Sequence, residues 1–383
     1  ILIDSPTKTD YDIAIVGGGL AGLALSILMA KEKYKVILFE KETYPFHKVC
    51  GEYISMESRP FLKKLGLPLD SMNLPLIKNL IVTAPSGASI KSKLDMGGFG
   101  ISRYKLDEAL KNIAEENGVK VLEATKVSDV IFDTEMFTVQ FPGGEVSASV
   151  VAGAYGKRSN LDVKWKRSFI TEKTGKLNNY IGVKYHVEAD LPPEIISLHN
   201  FENGYCGISR IENDKFCLCY MTTAKNLKEN GNSIEQMEKQ VLYKNPYLKK
   251  IFTTSHFLFD KPVTISQISF DSKPVVENHL LMMGDAAGMI TPLCGNGMSM
   301  ALHASRLAFI NIHPFLQGEI KREEMEDAYA QAWHQQFSRR LKMGRRLQRY
   351  FGKTWVTNLF ITTLKPFGFI IRKIIKNTHG REF

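Results

Sequence analysis

Several functional classes are excluded by what the chain lacks. Only 5 of its 383 residues are cysteine (Cys50, Cys206, Cys217, Cys219 and Cys294). They are scattered, odd in number and form no C-x-x-C pair, which excludes a disulfide framework and a cysteine zinc site, and no metal is expected. No uncharged run of about 20 apolar residues is present to span a bilayer. The opening residues ILIDSPTKTD are too short and too acidic for a secretory signal, so a cytoplasmic location is expected, with peripheral membrane contact left open. Internal repeats and low-complexity segments are absent. The formal charge is +10, yet no nucleic-acid-binding motif accompanies it, so no nucleic-acid partner is expected. With 44% hydrophobic residues, the chain can bury a large core and form two domains.

What is present centres on Tyr11 to Lys41. Asp12 to Val16 reads as a buried strand arriving at a turn, and Gly17, Gly19 and Gly22 follow at G-x-G-x-x-G spacing. Leu20 to Lys31 then has helical periodicity, and Lys35 to Phe39 is a second apolar strand closed by Glu40 and Lys41. Strand, glycine turn, helix, strand and acid in this order predict a dinucleotide site. The glycines let the backbone approach a pyrophosphate, the amides of Leu20 and Ala21 open the helix toward it, and Glu40 receives a ribose diol.

Downstream, Tyr44 to Glu52 is a loop in which Lys48 can neutralise a phosphate and Cys50 and Gly51 reach toward the reactive end of the nucleotide. Arg103 opens a helix and is a candidate cofactor contact. Val127 to Phe141 suggests a hairpin turned at Pro142-Gly143-Gly144. Ala148 to Ala154 is another buried strand, ending at Tyr155-Gly156. From Lys164 to Lys273 short alternating segments (Tyr180 to Val187, Ser197 to Phe201, Gly204 to Arg210, Phe216 to Thr222, Val263 to Phe270) predict antiparallel strands, with one helix from Ile234 to Lys244 that stops before Pro246. Cys217 and Cys219 share one strand face. His279 to Gly288 is a strand ending at Gly284-Asp285, followed by Gly295, Asn296 and Gly297 and a helix from Met298 to Ile312. His303, inside that helix, is read as a packing residue. Met325 to Phe351 is an amphipathic, basic helix with Tyr329, Trp333, Phe337 and Leu341 stepping by four. Thr354 to Ile371 is largely apolar and followed by Arg372, Lys373 and Lys376, a pattern that suits an interfacial segment, a lid or a packed terminal helix.

These stations resemble the flavoprotein superfamily of para-hydroxybenzoate hydroxylase, and within it the geranylgeranyl-reductase-like branch. The marks are the Gly17 to Gly22 turn with Glu40, Pro45-x-x-Lys48-x-Cys50-Gly51, Ile101-Ser102-Arg103, Gly153 to Gly156, and Gly284-Asp285 with Gly295-x-Gly297. The resemblance implies an α/β chain, α+β overall: a Rossmann-type FAD-binding domain (1–72, 101–163 and 274–325), a second antiparallel-sheet substrate domain (73–100 and 164–273), and a C-terminal helical segment (326–383). It implies noncovalent FAD, with diphosphate on the first glycines, adenosine ribose on Glu40, ribityl chain on Asp285, and the ring beside Gly295 to Gly297. Cys50, the catalytic candidate, is expected near the ring, as is Cys294. Tyr155 stands where the aromatic hydroxylases carry Asp, which puts direct reduction by NAD(P)H in question and makes a reductase or ferredoxin-like donor an alternative. A flavin halogenase is not expected, because Trp165, Trp333 and Trp355 form no W-x-W-x-I-P motif.

The expected function is an FAD-dependent oxidoreductase acting on a hydrophobic small molecule: polyprenyl, polyketide-like or aromatic. Hydride transfer to an alkene and hydroxylation through a flavin hydroperoxide both fit. The competing expectation is a membrane-surface flavoprotein that senses redox state or carries electrons without turnover, suggested by the basic, apolar C-terminal segment.

Overall fold

The strand Tyr11–Val16 has neighbours on both edges, and its Ile13, Ala14, Ile15 and Val16 are buried. It pairs in parallel with Val36–Phe39 on one side and with the end of Gly144–Gly153 on the other. Lys120–Leu122 extends this array in parallel to Val36–Phe39, and Leu280–Met282 in parallel to Gly144–Gly153. Strands covered on both faces need apolar residues at every position, and the unbroken runs here follow from that. The structure is a computed structural model and describes residues 9–171, 178–289, 296–350, 353–364 and 382–383. Every residue of the helix Leu20–Lys31 from Leu20 to Ala30 is buried, because it packs between the sheet and the helices Arg103–Glu116 and Gly297–Leu316.

An antiparallel meander of Asp129–Asp133, Met136–Phe141 and Gly144–Gly153 is attached to this sheet. The expected single turn at Pro142 to Gly144 is therefore corrected to two. Thr134 and Glu135, at φ of 46° and 61°, make the first, and Pro142-Gly143 makes the second. The first was not legible because a two-residue hairpin turn is normally signalled by Asn or Gly at those left-handed positions.

Among the described residues the second sheet contains nine strands. Asn178–Glu188, Ile195–Phe201, Gly204–Arg210, Phe216–Thr223 and Val263–Ser269 are joined by Leu76–Thr83, Ser89–Gly100 and Tyr53–Ser55. The pairing is antiparallel except that Ile195–Phe201 runs parallel to Leu76–Thr83. Alternation divides its two faces. Val183, Tyr185, Val187, Cys206, Ile208, Leu218 and Tyr220 enter a core with residues of the helices Ile234–Gln240 and Pro246–Thr254. Their neighbours Lys184, His186, Ser209, Cys217 and Cys219 turn toward the first sheet. The expected helix over Ile234 to Lys244 ends at Gln240 and yields to a single 3-10 turn, Leu242–Lys244. Pro246 then starts a helix instead of stopping one, since a proline at the first helical position loses no hydrogen bond and Asn245 caps the amide of Tyr247.

Three helices close the described chain: Gly297–Leu316, Arg322–Tyr350 and Thr354–Leu364. Tyr329, Trp333, Phe337 and Leu341 are buried on the first domain, as their spacing predicts. Beyond Leu364, the rest of the expected apolar segment and its basic residues lie outside the described residues. Among the described residues no helix is long and apolar enough to cross a membrane.

Candidate active site

Between the two sheets lies a cavity of about 1070 Å³, just above the roughly 300–1,000 Å³ common for ligand pockets. Its near end is the glycine turn. A Cβ on Gly17 would meet the carbonyl of Ala154 at 2.5 Å, and one on Gly22 would meet Gly17 O at 2.0 Å. Both positions therefore demand glycine for close packing. Gly19 faces open space, with Arg103 Nη2 and Lys48 Nζ 3.8 and 3.9 Å from where its Cβ would be. The helix that starts here has no side-chain cap and no acid in its first turn. Uncapped amides, the positive end of a helix and two cations make an anion site of the kind a diphosphate occupies. Asp107, almost fully buried, fixes both cations: Arg103 grips it with two bonds of 2.7 Å, and Lys48 lies 3.3 Å away.

Glu40 lines the cavity and is held by the turn itself, accepting from the Gly18 amide at 3.0 Å and the Glu42 amide at 3.1 Å. Tyr44 donates to the Gly18 carbonyl, and Lys41 sits at the rim, 3.6 Å from Glu42. Beside the glycine turn, Gly156 adopts φ +83° with open space where a side chain would go, and Gly284 at φ +56°, whose Cβ would lie 3.6 Å from that of Ala21, opens the short turn that brings Asp285 to the cavity. Burial pushes the Asp285 carboxyl up, against the pull of Lys273, Arg103 and Lys157. Asn296 and Gly297 begin the long helix Gly297–Leu316 and also line the cavity. Gly17, Gly19, Leu20, Ala21, Glu40, Lys41, Lys48, Cys50, Gly51, Arg103, Gly156, Gly284, Asp285, Asn296 and Gly297 thus surround one space. Gly22 packs beneath it, whereas Gly295 and Cys294 lie outside the described residues.

Tyr155 lines the cavity, and its hydroxyl is tied into a network behind the wall. Its hydroxyl donates to Asp162 at 2.9 Å and lies 3.3 Å from Arg167, which is itself buried between Asp162 and Glu277. Cys50 is half-buried on the cavity wall, and burial raises its thiol pKa, so the thiol is neutral. His303 stacks on Phe383 and sits edge-on to Phe337, and burial lowers its pKa to about 4, as a packing residue requires.

Sequence reasoning missed a buried charge cluster behind the Cys50 loop. Glu52 is fully buried at φ +53°. Its carboxylate accepts from Lys184 Nζ at 2.5 Å, His186 Nε2 at 2.6 Å and the Arg103 amide at 2.7 Å. Burial alone would raise this carboxyl; the bond from His186 and the charge of Lys184 outweigh it and lower the pKa to about 2. The same strands hold the loop carbonyls: Lys184 donates to Lys48 O, Cys217 Sγ to Cys50 O and Ser209 to Gly51 O. Glu52, His186 and Cys217 place ligand-type atoms within 4.8 Å of one another, but the Lys184 ammonium already balances the carboxylate. The available signal was Lys184 and His186 standing two apart in an otherwise apolar strand.

Comparison with known proteins agrees with this geometry. A family model described as "FAD binding domain" matches residues 10–339. Conditioned medium factor receptor 1 of Dictyostelium discoideum is 25% identical over 87% of this chain and 69% of its own length. Tryptophan 2-halogenase of Chondromyces crocatus is 22% identical over 85% of this chain and 66% of its own. Digeranylgeranylglycerophospholipid reductase of Methanocaldococcus jannaschii is 24% identical over 78% and 75%. Among solved structures, the flavin-dependent brominase Bmp2 superposes with a TM-score of 0.77 at 20% identity, covering 96% of this chain and 93% of that one, a likeness of fold. Flavin-dependent halogenases of Armillaria mellea recur among the other relatives. Halogenases and a reductase thus belong to the same neighbourhood as this chain, which itself lacks the W-x-W-x-I-P motif. The glycine turn, the acid at the end of the second strand and the matched span lead to one conclusion: the chain belongs to the FAD-binding domain family of the para-hydroxybenzoate hydroxylase superfamily and is an FAD-dependent oxidoreductase acting on a hydrophobic small molecule.

Proposed function

We propose that the chain reduces an alkene in a polyprenyl-type substrate, the chemistry of the geranylgeranyl-reductase-like branch. The observation that carries this reading is the wall contributed by the second sheet, where Leu80, Leu94, Ile196, Leu198, Ile265 and Ile268 line the cavity. An aliphatic wall desolvates and orients a hydrocarbon, whereas a phenolate or carboxylate needs a polar partner. Bound FAD, once reduced, would supply the hydride. The amides of Leu20 and Ala21, with Lys48 and Arg103, hold its diphosphate; Glu40 and Asp285 take its hydroxyls; Gly156 and Gly297 leave room for it. Cys50 Sγ keeps a proton at the cavity wall and would be the donor that completes the reduction. Because Tyr155 is bound to Asp162 and Arg167, electrons come from a reductase or ferredoxin-like protein in preference to NAD(P)H.

The recurrence of halogenases among the relatives supports a second reading, oxidation or halogenation of a small apolar ring. One experiment separates the two. The FAD-loaded protein, reduced with dithionite and kept free of oxygen, is mixed with prenyl alkenes. Reoxidation accompanied by a saturated product supports the first reading. No reoxidation until dioxygen is admitted, with a halogen isotope pattern in the product when bromide is present, replaces it with the second.

A further inference from the structure

The helix Thr354–Leu364 is seated on the second sheet by one face. Ile361 is 1% exposed and packs with Ala84 and Ile90, and the Ser86 amide donates to Asn358 Oδ1 at 3.2 Å. On its outer side Trp355 is 70% and Leu359 57% exposed. Four residues apart, they form one apolar stripe, and the helix contains no charged residue.

Its seat is an extension of the cavity wall. In the pair Leu76–Thr83 and Ser89–Gly100, Leu80 lies opposite Ser92 and Val82 opposite Ile90. Alternation puts Leu80, Val82 and Ala84 on one face together with Ile90, Ser92 and Leu94. Leu80 and Leu94 line the cavity, while Val82, Ala84 and Ile90 cluster with Ile361. The contact begins two residues along the same face, roughly 7 Å at the rise of an extended strand. The helix therefore stands at the outer end of the cavity wall.

The surroundings specify the partner. Lys353 directly precedes the helix and is exposed, as are Lys342 and Arg346 on the preceding one. From Ala328 to Arg381 the sequence contains no Asp or Glu. An indole and a leucine exposed within a stretch of sequence that carries cations and no acids complement an anionic lipid surface. We propose that Thr354–Leu364 docks the protein on an anionic bilayer and holds the outer end of the cavity wall against it, so that an apolar substrate passes between membrane and cavity. This holds for a reduced or an oxidised substrate alike.

The test sediments the FAD-loaded full chain with vesicles of phosphatidylcholine alone or mixed with phosphatidylglycerol. Binding to the mixed vesicles that weakens with salt is expected, and a Trp355→Ser/Leu359→Ser variant with an unchanged melting temperature loses about tenfold in bound fraction. Absence of binding to mixed vesicles, or equal binding by the double variant, overturns the proposal. So does a dimer in light scattering that the double variant dissolves, since a second copy would then be the occupant of this face.

Discussion

Replacing Lys184 with methionine removes the ammonium and keeps most of the side-chain volume. Glu52 would then remain fully buried with His186 and one amide as its donors. Breaking a buried pair from one side costs about 3–5 kcal/mol, because the surviving charge has no solvent to replace its partner. The carboxyl's own pKa sets the scale for all its donors together, His186 and Lys184 alike. Its pKa falls from 4.5 to about 2 in the folded chain, and at about 1.36 kcal/mol per tenfold change in proton affinity this is roughly 3 kcal/mol of preference for the charged form. Since the folded value lies below the unfolded one, this stability is present above about pH 4.5 and is lost as the pH falls toward 2. In Lys184→Met one of the two forces that hold the carboxyl down is gone, its pKa rises, and acid sensitivity moves toward neutral pH. Urea unfolding of the FAD-loaded protein, followed by circular dichroism at pH 7, should show a loss of about 3–5 kcal/mol for the single variant. Glu52→Gln combined with Lys184→Met should recover at least half of it, because a neutral amide needs no counter-charge. A single-variant loss below about 1 kcal/mol, or a double variant no better than the single, would refute a charged, interdependent pair.

Further outcomes follow from other parts of the structure. Gly22→Val places a side chain against Gly17 O, where a Cβ alone would be at 2.0 Å; the purified variant should lack the flavin absorbance, and normal FAD content would contradict the role given to the turn. A Cβ on Gly207 meets only ordinary contacts, at 3.6 and 3.7 Å, on the cavity wall. Gly207→Leu should thus keep FAD while raising KM for long substrates far more than for short ones. Cys50→Ala should retain FAD and lose about 10²-fold in kcat, as for a general acid; a KM change alone would move the proton donor elsewhere. Burial raises the Glu238 carboxyl to about 6 despite bonds from Tyr220 and Tyr185. The folded state thus binds the extra proton between pH 4.5 and 6, and its contribution disappears as the pH rises through that interval. Glu238→Gln keeps the acceptor, so unfolding curves should show a variant more stable at pH 7 by up to about 2 kcal/mol and without that slope.

The first domain was legible because its chemistry is local. A glycine turn, a fully buried helix and an acid after the next strand lie within one short stretch, and the geometry that brings Gly19, Lys48 and Arg103 together follows the order of the chain. The second sheet was legible strand by strand, since period-two alternation survives in Gly204–Arg210 and Phe216–Thr223. Its pairing was not, because the parallel contact between Ile195–Phe201 and Leu76–Thr83 joins segments more than a hundred residues apart. The Glu52 cluster stayed hidden for the same reason: its members come from a loop and a strand separated by over 130 positions, and no local pattern links them. Pro246 misled because proline both stops helices and starts them, and Asn245, the cap that decides which, was overlooked.

The alternation of the second sheet also bears on how such a protein can diversify. Residues that shape the cavity and residues that hold the helices behind it interleave along the same strands, as Tyr205, Gly207 and Ser209 do with Cys206, while Ile208 borders both. A point mutation at a position such as Gly207 alters what can be bound and leaves the supporting core untouched; one at Cys206 does the reverse. Substrate preference can therefore drift by single changes without passing through unstable intermediates, whereas the loss or gain of one residue within a strand would exchange the two sets and cost both.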